Sequence, residues 1–397
     1  MMAAGTAQSL GADVTLLEKN DKLGKKLLIT GKGRCNITNK CSVADLIANV
    51  PVNGRFLYSA FNYFTADDTI DFFEQNGVKT KAERGNRVFP ESDKASDVCK
   101  AMKKFVLDSG CKIIKGTAEK LLTADGKITG VITKEGRTLN ADSVIIATGG
   151  KSYPLTGSTG DGYRLAKKVG HTIIEPTPSL VPLNCADKSC KDMQGLSLKN
   201  IEIKVKNNQT NDIVYKDFGE LLFTHFGLSG PTILSASAHI KPMVKDLYSI
   251  FIDLKPALTE EQLDNRLLRD FNANLNKDVS NVFSNLLPKK MIPVILQKWG
   301  VNEHLKCNSV TKKQRLQLIK LLKNLEFVVD SFRPISEAIV TSGGINVAEI
   351  NPKTMQSKII NGLFFAGEVI DVDAYTGGFN LQIAYSTGKI AGENSAY

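Results

Sequence analysis

The residues best placed to do chemistry are glycines set against charged and hydroxyl side chains, in three segments. LLITGKGRCNITN, Leu27 to Asn39, sets Gly31 and Gly33 among Lys32, Arg34, Cys35 and Asn36. Glycines two apart let backbone approach a ligand with no Cβ in the way, and Lys32 and Arg34 supply positive charge. DSVIIATGGKSYPLTGSTGDGYRLAKKVGH, Asp142 to His171, runs an apolar strand (Val144 to Ala147) into Thr148, Gly149 and Gly150, with Asp161 opening a helix. NGLFFAGEVIDVDAYTGGFNLQIAYSTGKIAG, Asn361 to Gly392, ends a strand (Leu363 to Ala366) at Gly367 and Glu368. It then opens a helix from Leu381, after Thr376, Gly377, Gly378, Phe379 and Asn380. Strands that run into glycine turns pass a nucleotide-type cofactor across their carboxyl ends. Backbone N–H groups at a helix N-terminus receive an anion or a carbonyl oxygen. A strand-end carboxylate suits a sugar-like hydroxyl.

Other chemistries are poorly served. The four histidines are scattered, and none joins a cysteine or serine motif. His225, in LLFTHFGLSGP, reads as a packed or capping residue. The seven cysteines show no CxxC and no zinc spacing, so neither a metal site nor a dithiol relay is expected. They read as the reduced thiols of a cytoplasmic protein. Cys35 sits where it could touch a bound ring. Tyr153 and Tyr375 lie in loops beside the glycine turns and could donate a proton, although each reads equally well as a packing residue.

Composition narrows the class further. At 397 residues, with 42% apolar and 23% charged, the chain has length for two or three domains with ample core. No stretch is apolar enough for a membrane span, and no signal peptide opens the sequence. The net charge of +10 is spread along the chain in lysine pairs without interleaved aromatics. No specific nucleic-acid partner is expected, and the surplus suits an anionic cofactor or small-molecule substrate.

These residues must be positioned by an α/β scaffold. Residues 1 to 180 and 335 to 397 alternate helices and strands with glycine junctions, and are expected to form one interrupted cofactor-binding domain. Residues 181 to 256, joined by 323 to 334, read as β-rich, and 257 to 322 as helical, with Thr259 capping TEEQLDNRLLRDF. The opening MMAAGTAQSLGADVTLLEKN reads as an uncapped helix, then a strand from Val14 ending at Glu18. In a Rossmann βαβ unit the ribose-binding acid lies about 20 residues beyond the glycine fingerprint. Counting back from Glu18 passes Met1, so a further strand and glycine turn are expected upstream, with Met1 not the natural start.

The combination of LLEKNDKLGKKLLITGKGRCNITN, SVIIATGGKSYPLTGSTGDGY, GELLFTHFGLSGP, TSGGI and GLFFAGEVIDVDAYTGGFNLQIAYSTG resembles the HI0933-like (YhiN or BaiN) family of NAD(P)/FAD-dependent oxidoreductases across nearly the whole chain. The resemblance implies a glutathione-reductase-type FAD-binding, Rossmann-like domain interrupted by a β-barrel domain and a small helical domain. It implies FAD as cofactor and NAD(P)H as electron donor. Glu18 would take the adenosine ribose, and Lys19, Lys26 and the loop of Gly31, Gly33, Arg34, Cys35 and Asn36 would line the FAD. Ala118, at the end of a strand Lys112–Glu119, would meet adenine through its backbone. Thr148, Gly149 and Gly150 would pass the cofactor, and Gly344 would lie near the isoalloxazine. Gly367, Glu368, Gly378, Asn380, Leu381 and Gln382 would hold the ribitol and pyrimidine end. The family pattern places a strand and a GGGxAG-type turn ahead of MMAA.

Two family activities follow from the resemblance. One is reduction of ring C=C bonds conjugated to the 3-oxo group of bile-acid intermediates. The other is aminoacetone-type amine oxidation with dioxygen. A truncated, non-catalytic flavin- or nucleic-acid-binding protein is a third possibility. The Phe223, Phe226 and Leu228 cluster could line an apolar cleft or be core, and the sequence carries no sign of oligomeric state.

Overall fold

The computed structural model describes residues 1–397. They divide into two compact units, Met1–Ser179 with Pro334–Tyr397, and Leu180–Arg333.

The first unit is Rossmann-type α/β. Its parallel pairings are Thr15–Glu18 beside Lys112–Lys115, and Leu363–Phe365 beside Val144–Ile146. The segment 112–119, read as one strand, is two: Lys112–Lys115 ends at Gly116, and Ala118–Ala124 begins an antiparallel sheet with Lys127–Thr133 and Thr138–Asn140. The break follows from pairing. Gly116 N–H still bonds to Glu18 O at 3.0 Å, whereas Ala118 faces Thr133. A second antiparallel sheet joins Thr38–Asn39, Arg87–Pro90 and Thr80–Glu83, and Ile173–Ser179 pairs with Val340–Ile345. The opening helix Met2–Ser9 packs on the last one, Phe379–Asn394. The approach is close: a Cβ on Gly392 would lie 2.4 Å from Ala3 O. The closing helix starts two residues before the expected Leu381, because Gly378 supplies its N-cap.

The second unit holds a closed six-stranded barrel, in spatial order Leu183–Cys185, Gly227–Ser229, Ile213–Thr224, Ser197–Asn207, Tyr248–Asp253 and Leu325–Phe332. Alternation along Ile201, Ile203 and Val205 turns these residues inward, with Leu221, Phe223, Ile250, Ile252, Phe327 and Val329. Phe223 and Leu228 are fully buried in this core, while Phe226 lies beneath the Arg333 guanidinium, 4.5 Å from its ring centre. Between the last two strands runs a helical segment. Glu260–Asn272 and Lys312–Lys323 each start at a capping box, Thr259 with Gln262 and Thr311 with Gln314. Arg315 joins the two helices through Asp264 at 2.5 Å. No helix is long and apolar enough to cross a membrane.

One buried polar cluster makes the first unit sensitive to pH. His171 is 3% exposed and meets Glu349 Oε2 at 3.1 Å, Ser357 Oγ at 2.8 Å and the edge of the Phe365 ring. Ser357 Oγ already accepts from the Ile359 and Ile360 N–H groups, so its proton points to His171. Burial lowers the His171 pKa, and Glu349 only partly offsets this. The unfolded chain therefore takes up a proton below about pH 6.5 that the folded chain refuses, and stability falls as pH falls. Urea midpoints at about pH 7.5 and about pH 5.5 should drop more for the native chain than for His171→Gln. Equal drops in both proteins would remove His171 from the account.

Candidate functional site

The expected site residues gather in separate clusters within the first unit. The tightest is built on Glu368, three residues past the end of the strand Leu363–Phe365, in the turn Gly367–Val369. Its Oε2 accepts from Lys26 Nζ at 2.5 Å. Its Oε1 accepts from Thr341 N at 2.9 Å and Ser152 Oγ at 3.1 Å. Lys26 also donates to Ser152 Oγ at 2.7 Å. Thr341 Oγ1 in turn receives the Lys151 and Ser152 N–H groups, which fixes the turn after Gly149 and Gly150. Gly150 lies against Thr341 and the Glu368 carboxyl, and Gly149 has the same carboxylate beside it. Three distant stretches thus meet at one acid whose side chain is 19% exposed. Ser152 and Thr341 were not among the expected residues. Their signal lies in ATGGKSYP and TSGGI, where Thr148, Tyr153 and the glycines stand out by type and Ser152 and Thr341 do not.

A second cluster forms where the closing helix begins. Gly378 has φ +100°, and a Cβ there would lie 2.3 Å from the Thr38 carbonyl carbon. Asn39 Nδ2 donates to Gly377 O at 3.1 Å. Thr38 Oγ1 donates to Gln382 Oε1 at 2.5 Å, and Gln382 Nε2 donates to Phe64 O, Thr65 O and Ser386 Oγ. Gln382 is fully buried with its amide engaged by the protein, so it braces the turn and presents no side-chain atom to a ligand. Asn380 does the same for its own loop, bonding the Ala374 N–H and O and Tyr375 O. Leu381 is half-buried and packs on the neighbouring apolar core. The first N–H groups of this 16-residue helix have no side-chain cap and remain available to an acceptor.

The first strand end forms a third cluster. Glu18 Oε1 receives both Asn20 N and Asn20 Nδ2 at 2.8 Å, and Asn20 Nδ2 also reaches Thr156 O. Lys19 is spent on Asp161 and Thr159, both at 2.6 Å. Asn20 is a further residue the sequence reading passed over.

Other expected residues turn away from ligand chemistry. Arg34 pairs with Glu83 and Asp93 at 2.5 Å and stacks on Phe89, so its charge is neutralised inside the protein. Ala118 begins a strand, and its carbonyl already accepts from Arg164 Nη2 at 3.0 Å. Gly344 packs against the Val369 carbonyl, and Gly367 N–H bonds to Thr387 Oγ1. Thr148 Oγ1 faces Gly162. Gly31 and Gly33 are exposed, with no atom near a Cβ at Gly33. Asn36 is the informative member of that loop, because its Oδ1 is buried with no donor in the protein. Tyr153, at φ +50°, is 36% exposed on the turn beyond Ser152, and Tyr375 is half-buried with its N–H on Asn49 O. His225 is exposed, its ring edge-on to Phe226.

Cys35 is the clearest departure from a reactive role. It is fully buried, and burial pushes its thiol up to about 12. A thiol in that state is protonated and inert at neutral pH. Timed alkylation of the folded chain at about pH 8, read by peptide mass spectrometry, should label Cys35 slowly unless denaturant is added. Rapid native labelling would contradict this placement.

The family described as "HI0933-like protein Rossmann domain" matches residues 1–394. The 3-dehydro-bile acid delta(4,6)-reductase of Clostridium scindens is 31% identical, over 99% of this chain and 95% of that protein. The ribosomal RNA dihydrouridine synthase of Haemophilus influenzae is 29% identical, over 98% and 93%. Among solved structures, a 3-ketosteroid-delta4-(5alpha)-dehydrogenase from Rhodococcus jostii RHA1 superposes with TM-score 0.52 at 13% identity, covering 100% of this chain and 94% of that one. A flavocytochrome c3 fumarate reductase gives 0.51 at 17%, covering 100% and 76%. The fold they share is the Rossmann-type FAD-binding fold, and the chain belongs to the HI0933-like family of FAD-dependent oxidoreductases.

Proposed function

We propose that this chain is a FAD-dependent reductase of a ring C=C bond conjugated to a carbonyl, with NAD(P)H as electron donor. The observation that carries this reading is chemical. The names of two relatives point to different substrates and one reaction, saturation of a ring alkene activated by a neighbouring carbonyl. A 3-oxo Δ4,6 steroid acid remains the first substrate class. A second reading keeps the chemistry and moves it to the uracil ring of an RNA. It is favoured by the net charge of +10 and by the dihydrouridine synthase relatives, and it runs against the expectation of no nucleic-acid partner.

The residues present fit a flavin nucleotide. The orphaned Asn36 Oδ1 and the uncapped N–H groups at Phe379 to Leu381 are polar atoms suited to a ring edge carrying both donors and acceptors. Glu368, held by Lys26, Ser152 and Thr341, presents a fixed carboxylate for the ribitol hydroxyls. Glu18 serves the adenosine ribose from the first strand end, and the Gly149–Gly150 turn, fixed by Thr341, carries the chain closely past Glu368. FAD supplies the hydride chemistry when bound. The chain's own part is to hold positive potential at the helix N-terminus, and to bring a proton to the substrate. Tyr153 is assigned that proton, ahead of Tyr375, because its side chain reaches solvent on the turn beside Glu368's partners.

Two experiments test this. Gly378→Val places carbon where the Thr38 backbone lies, so it should purify without flavin colour, while Lys313→Glu on the exposed helix face keeps it. Equal visible absorbance in both would refute the placement. Separately, NAD(P)H should bleach flavin-loaded protein without oxygen, and a 3-oxo Δ4,6 steroid acid should restore the colour. Restoration only by uridine-containing ribosomal RNA selects the second reading. Bleaching by aminoacetone with recovery only by dioxygen would overturn both in favour of an oxidase.

A further inference from the structure

Two cysteines of the second unit sit together, and the flavin reading uses neither. Cys185 ends the barrel strand Leu183–Cys185, and Cys190 lies in the short helix Ser189–Asp192. Four residues stand between them, so the pair falls outside the CxxC pattern.

The turn between them brings the side chains into contact. Asp187 Oδ1 accepts from the Ser189 N–H at 2.8 Å, and Asp187 O accepts from the Cys190 N–H at 3.3 Å, so the chain doubles back after Ala186. Asp187 is itself held by Lys298 Nζ at 2.5 Å. Cys185 is anchored from its own side, with its N–H on Phe226 O at 3.0 Å and its strand position opposite Val329. Both side chains pack on the barrel core, both are free thiols, and the Cys190 side chain hydrogen-bonds to that of Cys185.

The two sulfurs differ in what can reach them. Cys190 is 1% exposed, whereas Cys185 is half-buried. The hydrogen bond to Cys185, and then burial, raise the Cys190 pKa, so Cys190 keeps its proton. Cys185 is the sulfur open to a small oxidant, and Cys190 stands behind it in the core.

We propose that Cys185 and Cys190 are a peroxide-sensitive thiol pair, in which Cys185 is oxidised first and Cys190 resolves it to a disulfide. The Cys185 sulfur takes one oxygen from hydrogen peroxide: the S–O bond forms, the O–O bond breaks and one water leaves, giving a sulfenic acid. The Cys190 sulfur then attacks that sulfur: the S–S bond forms, the S–O bond breaks and a second water leaves with the Cys190 proton. Two thiols give two electrons to one peroxide. The modification is independent of the flavin reading, and neither depends on the other's success.

The test uses the full native chain with one equivalent of hydrogen peroxide, followed by alkylation of the remaining thiols. Trypsin cleaves after Lys188, between the two cysteines, so a linked pair of peptides reports the bond directly. That linkage should appear at least about tenfold faster than oxidation of any other cysteine, and a dithiol reductant should reverse it. In Cys190→Ser, Cys185 has no resolving partner and should stop as a sulfenic acid that dimedone traps. Oxidation of another cysteine ahead of this pair, or conversion of Cys185 to sulfinic acid in the native chain without linkage, would overturn the proposal. The native-chain result decides the matter even where the variant does not fold.

Discussion

The carboxylate of Glu368 is the constraint on which the first unit's site depends. Strand pairing alone leaves the ends of this α/β unit unfixed relative to each other, because the Thr15–Glu18 and Leu363–Phe365 pairs lie in separate sheets. Glu368 ties the two regions together. It receives an ammonium from the helix Lys25–Ile29, a hydroxyl from the turn after Val144–Ile146, and a backbone N–H from the strand Val340–Ile345. Hydrogen bonds to a charged group contribute about 1.5–3 kcal/mol each, and losing the acceptor would strand a partly buried Lys26. No apolar contact could set the relative position of these turns as narrowly, since the hydrophobic effect has no direction.

A wider pattern follows in how the unit uses its charged and amide groups. Arg34, Lys19, Asn380 and Gln382 look from the sequence like ligand contacts, yet each is consumed inside the protein. They brace the turns whose backbone faces outward. The groups left over are main-chain N–H groups at the closing helix and one amide oxygen at Asn36. A site made this way is preorganised, because its polar atoms are held by second partners before a ligand arrives. The same logic places Cys35 and His171 in structural roles: both are buried, and burial holds each in its neutral form.

The sequence made some of this legible and hid the rest, for physical reasons. Strand ends with glycine turns announce themselves locally, so Glu368, Gly149 and Gly378 could be picked out without coordinates. The fold class was legible through long motifs. What could not be read was pairing across the chain. Ser152 and Thr341 meet Glu368 from 216 and 27 residues away, and no local pattern encodes either contact. The Arg34 side chain looks the same in sequence whether it meets a phosphate or the pair Glu83 and Asp93. The break at Gly116 was missed because KIIKGTAE has strand-forming residues on both sides of the glycine, and only the partners, Glu18 and Thr133, show that the chain changes sheets.

The account therefore rests on whether Lys26 and Glu368 act as one device in assembling the flavin site. The most direct measurement is a double-mutant cycle on FAD binding, with Lys26→Met, Glu368→Gln and the two combined, followed by flavin fluorescence quenching. If the clamp is the assembling interaction, the double variant should lose little more affinity than either single one, a coupling of about 1 kcal/mol or more. Fully additive losses would show that the two residues contribute separately and would contradict the account.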